Sequence, residues 1–150
     1  MSLQLILTGL GKFTKGELYG ERSLTFYNIQ NQEDEHSCFS DLTTTDLQMG
    51  QQGILNVYYG RYVASDGTVF DGTGLNELVA VINSDLNAST TNDLESTKKE
   101  NDAIPSPFDR NTDALNPVGR AQIKKAIDKG AIQANDFVKI AQALKLSLVL

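Results

Sequence analysis

Asp41-Leu42-Thr43-Thr44-Thr45-Asp46-Leu47-Gln48-Met49-Gly50-Gln51-Gln52-Gly53-Ile54-Leu55-Asn56-Val57-Tyr58-Tyr59-Gly60-Arg61-Tyr62 is the stretch on which the fold turns. Leu47, Ile54, Tyr58 and Tyr62 recur along one face of a helix, with Leu55 beside them. Gly50, Gly53, Val57 and Gly60 make a second stripe at the same spacing. A glycine inside a helix costs about 1 kcal/mol relative to alanine, and close approach by another helix would offset that. The competing reading makes Gly50-Gln51-Gln52-Gly53 a loop. The apolar period runs straight through it, so a helix from about Asp41 to Tyr62 is expected.

The flanking segments read in the same way. Towards the C-terminus, Ser65-Asp66-Gly67-Thr68 and Phe70-Asp71-Gly72-Thr73-Gly74 carry two Asp-Gly turn signals, so Val63 to Gly74 is a loop, a short hairpin or a plug. Gly74 to Asn83 is a short helix with Leu75, Leu78, Val79 and Ile82 inward. Asp85 to Ala103 is a more polar helix, with Glu95 and Lys99 at the i, i+4 spacing, stopped by Pro105-Ser106-Pro107. Asn111 to Asn116 is a loop. Asn116-Pro117 is a strong helix start, and Ile123, Ile127, Ala131, Ala134, Phe137 or Val138, Ala141 and Leu144 sustain a helix of about 28 residues, with Gly130 as a candidate kink.

Towards the N-terminus, Lys15 to Ile29 reads as a helix whose stripe is Leu18, Arg22, Thr25, Phe26 and Ile29. Leu3 to Leu10 is too short to assign to helix or strand. Its abrupt start reads as the tail of an element that begins upstream. The expected architecture is all-α: a helical bundle of two long helices and several shorter ones, with the Gly/Asp-rich loop or small hairpin between them. A chain of 150 residues makes one domain over 1–150 with a real core.

Composition narrows the function. With 19 acidic and 13 basic residues the net charge is −6. That argues against nucleic-acid binding, which depends on Lys and Arg, and against docking on an anionic membrane. No apolar run approaches the roughly 20 residues that span a bilayer. One cysteine, Cys38, excludes an intrachain disulfide and a Cys-based zinc site, and one histidine, His36, excludes a multi-His cage. The Asp-Gly pairs do not have EF-hand spacing, and no phosphate-binding glycine motif is present.

The chemistry that remains is in Gln32-Glu33-Asp34-Glu35-His36-Ser37-Cys38-Phe39-Ser40-Asp41. Carboxylate and imidazole are ligands for Fe, Zn and Mn, and crowded carboxylates gain by holding a cation. Glu33, Glu35, His36 and Asp41 are the candidate metal ligands, for a divalent cation such as Fe or Zn. A solvated acidic loop that caps a helix, with Ser37, Ser40 or Asp41 as the cap, is the plainer reading. The apolar pair Cys38-Phe39 argues instead that the loop folds inward, with Cys38 as a small buried hydrophobe and no nucleophile. Glu21-Arg22 is a second candidate, in which Arg22 points into the bundle and meets an acid from the loop.

Taken together, Leu7-Thr8-Gly9-Leu10-Gly11, Gly16-Glu17-Leu18-Tyr19-Gly20-Glu21-Arg22, the Glu33-to-Asp41 string and Gly53-Ile54-Leu55-Asn56-Val57-Tyr58-Tyr59-Gly60-Arg61-Tyr62 resemble the C-terminal half of imelysin-family proteins. This family is also called peptidase M75 and includes insulin-cleaving membrane protease and iron-regulated protein A. The match is dense over about residues 5–82 and looser beyond, where Pro107-Phe108-Asp109 still fits. The resemblance implies two helical halves with a site between them, and a link to iron uptake. It also implies a bacterial envelope location, periplasmic or associated with the outer membrane. It places Glu21, Arg22, Glu33, Glu35, His36, Ser37, Ser40 and Asp41 on this half's side of the site. The family's Gly-x-His-x-x-Glu signature is absent, because His36 is followed three positions later by Phe39. The chain therefore reads as a C-terminal half whose partner is the missing N-terminal half or a second copy, joined through an exposed apolar face. No catalytic residue is assigned. A zinc peptidase needs about three protein ligands and a base, and the alternatives of a peptidase half or a purely structural half stand beside cation binding.

Overall fold

The computed structural model describes residues 2–148. Helix α1 (Ser2–Lys12) passes without a break into a π-helix (Phe13–Leu24) and then into α2 (Thr25–Ile29). A single 3-10 turn (Gln32–Asp34) leads to α3 (Thr43–Tyr59), followed by strands β1 (Arg61–Val63) and β2 (Val69–Asp71). Helices α4 (Leu75–Ile82), α5 (Ser84–Asp102), α6 (Phe108–Thr112) and α7 (Pro117–Ala143) complete the chain. The fold is the expected all-α bundle, built around α7, which packs against α5, the π-helix, α1 and α6.

Helix α7 begins where Asn116 and Pro117 signal it. The Asn116 Oδ1 accepts the Gly119 N–H at 3.0 Å, as an N-cap should. Ile123, Ile127, Ala134, Phe137 and Ala141 are buried, and of the pair Phe137 or Val138 it is Phe137 that enters the core. Ala131 is exposed. Gly130 does not break the helix, which runs on to Ala143. It is a buried contact on which the Tyr19 ring lies.

Helix α3 buries Leu47, Ile54, Leu55 and Tyr58 as the period predicts. It ends earlier than expected. Gly60 turns left-handed at φ 64 and closes the helix onto Asn56 and Val57. Tyr62 therefore lies on β1, 52% exposed. Of the glycine stripe, Gly50 does meet a close neighbour: a Cβ there would stand 2.7 Å from Leu18. Gly53 faces open space. The Gly/Asp-rich segment is a hairpin, with Tyr62 paired to Phe70 and stacked on it at 6.3 Å. In α4, Leu75 and Val79 are buried but Ile82 is 45% exposed. Asn111 and Thr112, expected as loop, belong to α6, which docks through Phe108 on Phe26 with ring centroids 5.6 Å apart.

The largest departure is the π-helix. Its i→i+5 hydrogen bonds widen the turn, so buried positions recur every four or five residues: Thr14, Leu18, Tyr19 and Ser23. The stripe expected from α-helical spacing is thereby broken. Leu18 and Phe26 are inside, whereas Arg22 and Ile29 are exposed. Gly20 is required here, since a Cβ would lie 2.0 Å from the Lys15 carbonyl oxygen. The Ser23 hydroxyl donates to the Leu18 carbonyl and that of Thr14 to the Leu10 carbonyl at 2.7 Å.

Candidate functional site

The acidic string begins where α2 stops at Gln30, a left-handed residue with φ 57. The Asn31 side chain caps the 3-10 turn by accepting the Glu33 N–H. Glu35 then leaves in extended conformation, and successive side chains of extended backbone point to opposite sides. Glu35 turns into the protein and is 5% exposed. His36 turns towards the π-helix and places Nε2 2.7 Å from the Glu17 carbonyl oxygen. A carbonyl only accepts, so Nε2 carries the proton and Nδ1 keeps its lone pair. The next residue ties the string to α3: the Ser37 N–H donates to Thr43 Oγ1 at 3.1 Å, and its hydroxyl donates to Asp46. Asp46 sits in the first turn of α3, where the helix dipole favours an anion.

Two buried atoms in this string have no partner, Glu35 Oε1 and His36 Nδ1. Burial raises the Glu35 pKa. Its bond from the Thr43 hydroxyl opposes that, and the nearby Asp109 and Asp41 carboxylates add to it. Burial lowers the His36 pKa, the Glu17 carbonyl and Asp46 oppose the shift, and Arg22 adds to it. His36 is the only histidine, so its ring resonances can be followed alone. An NMR titration should give a midpoint below the ordinary 6.5. A folded pKa below the unfolded one makes the stabilising contribution of neutral His36 fully present above the unfolded value. It is lost as pH falls through the folded pKa. A midpoint at or above 6.5 would contradict the buried placement.

The expected site residues are only partly brought together. Glu35 faces Asp41, Asp109 and Thr43, while His36 faces Glu17, Arg22 and Asp46. Glu33 and Ser40 are exposed on the rim, and Asp41 is exposed in a left-handed turn at φ 60. The quartet Glu33, Glu35, His36 and Asp41 does not gather. Among the described residues no three His, Cys, Asp or Glu side chains form a group that could hold a metal ion. The alternation of extended backbone is the reason, since it sends Glu35 and His36 to different neighbours. Residues 35 and 36 thus offer separate donors, and neither is part of a complete ligand set.

Two further expectations are corrected. Arg22 does not enter the bundle. Its Nε lies 3.9 Å from Glu17 Oε2, with both side chains about half exposed, a pair worth under about 1 kcal/mol. Glu21, also exposed, lines an open cleft of about 1000 Å³ along the π-helix. Phe39 does not fold inward: the Ser37–Asp41 turn, closed by Asp41 N–H to the Ser37 carbonyl at 2.9 Å, carries it to the tip, 95% exposed. Cys38 is half-buried and free. Helix α3 takes its start from none of the three expected caps, since Leu42 occupies that position. Thr43, Asp46 and Asp109, none of them among the expected site residues, complete the surroundings of the string. Only Asp46 carried a local signal, as an acid in a first helical turn.

The imelysin family model (peptidase M75) matches residues 1–137. A search of curated proteins gives no match. A model that spans nearly the whole bundle, including the Glu33–Asp41 string and most of α7, settles the relationship: the chain belongs to the imelysin family.

Proposed function

We propose that this chain is an imelysin-type module of the bacterial cell envelope that takes part in iron uptake. In this reading it binds a cation or an iron-bearing ligand at a site completed by a second helical half or a second copy. The observation that carries the reading is His36. Its Nε2–H is held by the Glu17 carbonyl and its Nδ1 is left without a partner. Metal-binding histidines are oriented in this way, with the second ring nitrogen donating to a carbonyl or carboxylate. Family membership supports the envelope role. A second contributor would complete the ligand set, since among the described residues no three His, Cys, Asp or Glu side chains gather. The strip Leu5, Ile6, Phe13 and Val57, exposed by 40–65% on α1, the π-helix and α3, supports a partner that covers apolar surface. No helix among the described residues is long and apolar enough to cross a membrane.

The test is calorimetry and metal analysis with Zn²⁺ and Fe²⁺ on the whole chain and on His36→Ala. Binding should weaken about tenfold or more in the variant. The loss of one neutral hydrogen bond should cost only about 1 kcal/mol of stability. No uptake of either metal, or equal uptake by both proteins, would remove His36 from the function.

A further inference from the structure

Helices α5 and α7 pack along each other, and a carboxylate is enclosed where they meet. Asp136 of α7 has no exposed surface. Its Oδ1 accepts from Lys139 Nζ at 2.7 Å, and its Oδ2 has no partner. Asp93 of α5, half-buried, lies against it within hydrogen-bonding reach. The other groups facing the pair are the half-exposed Lys139 on α7 and, from α3, Tyr58. Tyr58 is neutral and donates to Asn87 Oδ1 at 2.8 Å.

The charges in this cluster do not balance if both carboxylates are ionised. Two carboxylates face one ammonium, which leaves one negative charge in excess. Two ionised carboxylates in contact also repel, and proteins resolve that by retaining a proton on one of them. A single proton removes both problems. As an O–H between the Asp93 carboxyl and Asp136 Oδ2 it supplies the orphaned oxygen with its partner, and the cluster becomes neutral. We propose that Asp93 and Asp136 share one proton across the α5–α7 contact, which makes that contact a clasp that loosens as pH rises.

Burial and the neighbouring Asp93 both hold the Asp136 pKa above the ordinary carboxyl range, while Lys139 acts against them. A folded pKa above the unfolded value gives stability that is fully present below the unfolded pKa, near 4. It is lost as pH rises through the folded pKa. The clasp sits next to the centre of the bundle. Gln133, one turn before Asp136 on α7, and Asn101 on α5 both belong to the hydrogen-bond network that holds Tyr19 of the π-helix. Opening α5 from α7 would release the π-helix as well.

The test is thermal unfolding of the full chain from about pH 4 to about pH 9, as wild type, Asp136→Asn and Asp93→Asn. Either amide mimics the protonated carboxyl and cannot ionise. Wild type minus variant should show Tm falling in the wild type by about 3–5 °C for each pH unit by which the pair's pKa exceeds an ordinary carboxyl, with no such fall in the variants. If Asp136→Asn does not fold, the half-buried Asp93→Asn gives the same reading. On the wild type alone, the infrared band of a protonated carboxyl should persist at neutral pH and vanish in alkali. Parallel pH profiles for all three proteins, or no protonated band at neutral pH, would overturn the proposal. So would a saturable rise in wild-type Tm on adding Na⁺ or Ca²⁺ that Asp136→Asn lacks, because a cation would then occupy the gap.

Discussion

Gly130→Ala should destabilise the bundle by about 3 kcal/mol or more, and Gly130→Val should leave little folded protein at 37 °C. Alanine in place of glycine ordinarily stabilises a helix by about 1 kcal/mol, so the sign of the effect is the test. A Cβ on Gly130 would stand 2.1 Å from Tyr19 Cδ2 and 2.2 Å from Cγ. Those are atoms of the ring body, not the end of a flexible chain. Tyr19 cannot swing away, because its hydroxyl donates to Gln51 Oε1 at 3.2 Å and accepts from Asn101 Nδ2 at 2.6 Å. Moving the ring breaks both bonds in a buried interior. Gly53→Ala provides the contrast: the site is in the middle of α3 with nothing within 4 Å of the added carbon, so it should stabilise by about 0.5–1 kcal/mol. Circular dichroism of the two variants side by side decides the matter. A Gly130→Ala protein as stable as wild type would mean that Tyr19 does not lie on α7.

How far the fold can be read from its residues depends on how local each signal is. Helix α7 was legible because Asn116 and Pro117 mark its start and because Ile123, Ile127, Phe137 and Ala141 keep one period over many turns. The turn of the hairpin is legible from Asp66-Gly67, where Gly67 takes φ 84, while the residues alone leave loop, hairpin and plug open. The end of α3 was missed for a similarly local reason. The spacing places Gly60 in a stripe, whereas it acts as a stop, and both roles suit a residue without a side chain. The π-helix had no such signature. Nothing in Phe13 to Leu24 distinguishes i→i+5 from i→i+4 bonding, and only Gly20, with the Lys15 carbonyl against it, shows where the wider turn excludes a Cβ. The site suffered most. The acidic string was recognisable, but which of its members turns inward depends on partners far along the chain. Glu35 is buried beside Thr43 and Asp109, and Phe39 is carried outward by a turn. Hydrophobicity ranks those two residues the other way round.

Gln51→Leu should cost about 3 kcal/mol, roughly 6–12 °C in Tm for a chain of this size, although it places an apolar residue in a fully buried position. Gln51 is the hub of the central polar network. Its Nε2 donates to Gln133 Oε1 at 2.7 Å and to the Leu94 carbonyl at 3.2 Å, and its Oε1 accepts from Tyr19 and from Gln133 Nε2. Leucine removes all of these and leaves the Tyr19 proton and the Gln133 oxygen enclosed without partners. Each such orphan costs about 1–3 kcal/mol, whereas deleting both members of a buried pair is far less harmful. The double variant Gln51→Leu/Gln133→Leu should therefore recover part of the loss, leaving chiefly the Tyr19 proton unsatisfied. A coupling energy of about 1 kcal/mol or more in the double-mutant cycle is expected. Simple additivity of the two single variants would mean that the glutamines do not bond to each other, and that α3 and α7 are not joined through this pair.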